Sequence, residues 1–131
     1  MNENNILDDL EDLPKLYSKT GIFLISIFLV FFAALAYARN LRTIGKSGMS
    51  LFVVIGILIY FQLGIKFLSF INISFLLDFI LINLIGGLII TQVLWPSQIG
   101  DIRYDSKPIW PFLLVIFVIT GVLVLLNVAI L

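Results

Sequence analysis

Two ionisable side chains, Lys66 and Asp78, fall inside the long apolar stretches of this 131-residue chain. A charge at membrane depth is costly and marks a candidate site by default, as part of an ion or proton pathway or as half of an ion pair. Residues 66 and 78 are symmetric about residue 72. In an antiparallel helical hairpin turning there, both sit at one depth, about 9 Å from the turn at 1.5 Å per residue. Gln62 and Asn83 are nearly symmetric too, one turn deeper. These four residues form the candidate intramembrane polar site. It has three readings. One is a structural pair, with the cation near a helix C-terminus and the anion near the next N-terminus, each suiting the macrodipole. The second is a transport or ion pathway. The third is independent snorkelling of Lys66 to the interface. Asp78 and Asn83 are about 140° apart around a helix, so the two polar pairs cannot face one partner equally well.

Other chemistry is scarce. The chain has no Cys and no His, which removes disulfides, thiolate nucleophiles, His-based zinc sites and His-ligated haem. Gly45-Lys46-Ser47 lacks the G-x-x-x-x-G-K-[ST] spacing and the preceding strand of a phosphate loop. The D-x-x-D-G type of metal motif used by lipid head-group transferases does not occur. No catalytic, cofactor-binding or metal-ligating residue is assigned. The expectation is a protein that is not an enzyme, carries no cofactor and has no nucleic-acid partner.

The elements that position the polar residues are written in charge-free runs: Thr20–Ala38, Ser47–Ile65, Phe79–Gly100 and Pro108–Leu131. A hydrocarbon core about 30 Å thick takes roughly 20 apolar residues of helix to cross. With 61% hydrophobic and 12% charged residues and a mean hydropathy of +1.16, the chain lacks the polar surface of a soluble domain. The expected fold is all-α, an integral membrane four-helix bundle of antiparallel hairpins with short loops. Its spans are about 21–38, 50–70, 73–95 and 109–131, together a transmembrane domain over 20–131. Residues 1–19 form an acidic N-terminal head. There, after Glu3, Ile6, Leu10, Leu13 and Tyr17 follow a helical period with Asp8, Asp9, Glu11 and Asp12 between them. An acidic start is unlike a signal peptide, so the first helix is expected to be retained.

Small residues are expected to lead the packing, because lipid supplies no hydrophobic drive between helices. The first span carries Ser26, Ala33 and Tyr37 along one face, and Gly56, Gly64, Gly86 and Gly87 are expected to face protein. Trp95-Pro96 and Trp110-Pro111 flank the largest polar loop, and both tryptophans are read as interface anchors. Arg39, Arg42 and Lys46 in the loop after the first span are the topology signal. With four crossings, the N-terminus, the 70–74 turn and the C-terminus share one side, and the 39–48 and 96–108 loops share the other. The latter side also has Arg103 and Lys107, against Lys15 and Lys19 opposite. The positive-inside rule then places both loops in the cytoplasm and both termini outside.

Leu13-Pro14-Lys15-Leu16-Tyr17-Ser18-Lys19, Ala38-Arg39-Asn40-Leu41 with Ile44-Gly45-Lys46, and Lys107-Pro108-Ile109-Trp110 together resemble boundary motifs of a group of small four-pass bacterial membrane proteins of unassigned function. That resemblance implies this topology and a bacterial inner membrane, and no reaction. Small multidrug exporters share the helix number and length but depend on a Glu in the first helix, where this chain has no acid. The leading functional expectation is a small non-catalytic multi-pass protein, an accessory subunit or interaction and assembly module in a larger membrane complex. The alternative is a homo-oligomeric transporter or pore using Asp78, Lys66, Gln62 and Asn83.

Overall fold

A computed structural model describes residues 13–72 and 74–130. Most of the acidic head, residues 1–12, lies outside the described residues. The remainder is mostly helical. A short strand β1 (Lys15–Tyr17) leads into α1 (Lys19–Phe28) and α2 (Val30–Thr43), followed by α3 (Ser47–Ile71). Helix α4 starts at Phe75 and is α-helical to Leu88; it continues as a π-helical segment, Ile89–Leu94, and ends in an α-turn, Trp95–Gln98. Strand β2 (Asp105–Lys107) and helix α5 (Trp110–Ile130) complete the chain.

Three helices are long and apolar enough to cross a membrane: Ser47–Ile71, Leu76–Gln98 and Trp110–Asn127. They correspond to the second, third and fourth expected spans. Local chemistry explains their ends. Asn72 adopts the left-handed conformation that stops α3 (φ 59°). Ser74 caps α4 by accepting from the Leu77 amide.

The first expected span is different, and the single helix expected over 21–38 is corrected. Leu29 is extended (φ −159°, ψ 113°) and separates α1 from α2. The two helices then fold back on each other. Asn40, late in α2, is bonded on both sides to Tyr17, just before α1: the Tyr17 amide donates to Asn40 Oδ1 at 2.7 Å, and Asn40 Nδ2 donates to the Tyr17 carbonyl at 2.8 Å. A straight helix would hold those residues about 34 Å apart. Ten residues of α1 reach about 15 Å, half of a hydrocarbon core about 30 Å thick. The segment is a helical hairpin that returns to the end at which it started.

This reversal rearranges the ends of the molecule. Lys46 Nζ donates to the Gln98 carbonyl, Arg42 Nε to Ser50 Oγ, and Lys15–Tyr17 pairs in parallel with Asp105–Lys107. The Asp105 amide also donates to the Pro14 carbonyl. Residues 13–19, the 39–48 loop and the 96–109 connection therefore gather at one end, called here the near end. Asn72, Ser74 and the C-terminal end of α5 lie at the other. The expected arrangement, with the N-terminal segment opposite both longer loops, does not hold.

The core forms around α2. Val30, Ala33, Ala34, Ala36, Tyr37 and Leu41 are fully buried, with Ile22 and Ile25 of α1, Val53 and Ile57 of α3 and Ile90 of α4 around them. The alanines of α2 let its neighbours approach on several sides. The outer helices expose apolar side chains, as helices bathed in lipid do: Phe52, Phe70 and Leu125 are among the most exposed.

Candidate functional site

The tip of the hairpin is built by α4. Breaking a helix at Leu29 deprives the Val30 amide of a carbonyl four residues back, and an unpaired amide in lipid costs several kcal/mol. Asn83 supplies the missing acceptor: its Oδ1 receives the Val30 N–H at 2.9 Å, and both residues are fully buried. One helical turn further along, Gly86 and Gly87 let α4 lie against the tip. A Cβ on Gly86 would come within 2.5 Å of Val30 Cγ2, and one on Gly87 would overlap Ser26 Oγ and stand 2.8 Å from Ser26 Cβ. Ser26 is itself satisfied by donating to the Phe23 carbonyl. Tyr60 of α3 closes the other side, its hydroxyl donating to the Ile82 carbonyl at 2.8 Å.

The π-helical segment follows directly. Thr91 within it is buried and donates to the Gly87 carbonyl. An extra residue per turn, which often marks functional positions, here lies beside α1. It is followed by Trp95, which is buried against Tyr37 (ring centroids 6.2 Å) and Tyr104 (5.8 Å). Tyr37 also donates to Gln98 Oε1 at 2.7 Å. These aromatic contacts pack the near end. Trp110, the second expected anchor, is exposed at the start of α5.

Beyond the hairpin tip lies the far half of the molecule. Two cavities lie there on either side of Phe79. One, about 370 Å³, sits between α3 and α4 and is lined by Phe61, Ile65, Ser69, Asn72, Asp78, Phe79 and Ile82. The other, about 470 Å³, lies under the tip against Phe28, Leu29, Ile116 and Thr120. Asp78 Oδ1 is shielded and has no hydrogen-bond partner.

The four polar candidates are thus distributed. Asn83 is at the hairpin tip and Asp78 lines the far cavity, while Lys66 and Gln62 are exposed on α3. The face of α3 turned to Asp78 carries Phe61, Ile65 and Ser69, and Lys66 is off that face. Among the described residues Asp78 forms no ion pair with it. The topology-signal cations have local partners: Arg42 on Ser50, Lys46 on Gln98, and Arg39 over the Phe112 ring at 5.7 Å. Of the expected small-residue contacts, a Cβ on Gly64 would stand 3.5 Å from Ile82 Cγ1, whereas Gly56 faces open space.

Asn40 and Leu29 were not legible as special. Asn40 reads as a loop residue between two arginines, and Leu29 has no helix-breaking neighbour. The nearest available signals were the Gly86-Gly87 pair and an Asn in a lipid-facing sequence. Among the described residues no group of three His, Cys, Asp or Glu could hold a metal ion. No protein-family model matches this chain, and neither does any curated protein or solved structure.

Proposed function

We propose that this chain is a non-catalytic membrane protein that docks, through its last helix, onto a partner within the bilayer. The observation that carries the reading is the far half of α5. Beyond Ile116 its described side chains are exposed on every side, from Phe117 to Asn127. Gly121 faces open space, and among the described residues Asn127 bonds its own helix, through the Leu123 carbonyl. A small residue and an amide on an otherwise apolar helix are what a second transmembrane helix can pack against and bond. Asn83 and Tyr60 hold the hairpin tip through the Val30 amide and the Ile82 carbonyl, which fits a scaffold.

The near end carries Lys15, Lys19, Arg39, Arg42, Lys46, Arg103 and Lys107, all of the chain's 8 Lys and Arg except Lys66. By the positive-inside rule this end faces the cytoplasm. In this reading the membrane is a bacterial plasma membrane, the N-terminal segment is inside and the C-terminal end of α5 is outside. Purification in mild detergent followed by native mass spectrometry tests the proposal. A stoichiometric larger subunit is expected, lost in Gly121→Leu while the protein's own melting is unchanged. A pure homo-oligomer would replace this reading with a pore.

A further inference from the structure

We propose that the cavity between α3 and α4 binds a lipophilic organic monocation, entering laterally from the outer half of the bilayer. This site is separate from the α5 surface and is tested separately; only its placement in the outer half rests on the orientation proposed above. A volume of about 370 Å³ is within the range of small-molecule pockets, roughly 300–1,000 Å³. The walls are apolar and aromatic, from Phe61, Ile65, Phe79 and Ile82, and one carboxylate, Asp78, sits among them. Its Oδ1 is shielded from solvent and unpartnered. Buried polar atoms are normally satisfied, so an orphan of this kind calls for an explanation.

Among the described residues no cation is placed to supply one. Lys66 is exposed on a different face of α3, and the other Lys and Arg residues are at the near end. A hard divalent cation fits poorly, since calcium takes six to eight oxygen ligands and this cavity adds only Ser69 and Asn72 to a single carboxylate. A bulky monocation with a delocalised or shielded charge matches all the walls. Its charge neutralises Asp78, its body fills apolar space, and Phe61 and Phe79 supply aromatic surface that attracts cations. Away from water, that charge attraction is screened far less than at an exposed site.

The test uses the full chain in phosphatidylcholine nanodiscs, with tritiated tetraphenylphosphonium as the probe and empty nanodiscs as the blank. Saturable binding near one site per chain is expected. Asp78→Asn should weaken it at least tenfold, and Ile65→Trp, which fills the cavity and leaves the carboxylate, should do the same. Lys66→Met should leave affinity within about twofold, because its side chain is outside the cavity and an exposed charge contributes little. Tetraphenylborate, an anion of the same shape, should not compete. Absence of saturable binding, or unchanged affinity in both Asp78→Asn and Ile65→Trp, would overturn the proposal. If Asp78→Asn fails to fold, Ile65→Trp and the borate comparison decide it.

Discussion

Removing the Asn83 acceptor should unlock the hairpin tip, and the effect can be isolated by deleting its donor as well. Asn83→Leu leaves the Val30 amide buried without a partner, because the 2.9 Å bond to Asn83 Oδ1 replaces the one the helix lost at Leu29. Stranding a buried donor costs about 1–3 kcal/mol. Val30→Pro removes the same N–H. Proline is well placed there: Val30 is the first residue of α2, a position that favours Pro. Leu29 before it is already extended, as the residue preceding a proline prefers. In the Val30→Pro background Asn83→Leu strands nothing, and the volume change at residue 83 is common to both backgrounds. A double-mutant cycle should therefore show a coupling of about 2 kcal/mol. Unfolding in mixed micelles with increasing SDS, followed by Trp95 fluorescence, reads it, since Trp95 is buried against Tyr37 and Tyr104. Additivity within about 0.5 kcal/mol would mean that Asn83 does not hold the break.

Four further outcomes follow from the same geometry. Gly87→Ala should destabilise by about 1–3 kcal/mol through overpacking, with partial recovery in Gly87→Ala/Ser26→Gly, because Ser26 is what the new methyl meets; equal melting of the single and double variants would argue against this contact. Gly56→Ala should be neutral or slightly stabilising, since nothing lies near it and Ala is the better helix former; a large loss in the same SDS titration would contradict the open surface there. Single cysteines at Lys15 and Ser47 should share one compartment and one at Asn72 should occupy the other when an impermeant thiol reagent is applied to intact cells, whereas labelling that separates 15 from 47 would restore a full first crossing. Lys66→Met should change stability by less than about 0.5 kcal/mol, as for an exposed side chain, and a large loss in the SDS titration would reinstate a pair with Asp78.

The sequence by itself determined the class of this protein and three of its helices. Charge-free apolar runs of sufficient length leave the backbone in lipid no cheaper option than helix, and α3, α4 and α5 are where those runs lie. It also showed where small residues let helices approach, at Gly86 and Gly87. The route of residues 19–43 was decided by tertiary structure. Nothing local marks Leu29: Phe28, Leu29 and Val30 are ordinary helix interior, without Pro or Gly. The break is stable because a side-chain amide 53 residues further along the chain takes up the orphaned N–H, and because Asn40 returns to clasp Tyr17. Counting apolar residues measures whether a segment can cross. It carries no information on a partner that makes turning back as favourable, and the same turn moved the N-terminal cations to the side of both loops, whereas Lys66 is kept from Asp78 by its own position around α3, off the face that carries Phe61, Ile65 and Ser69.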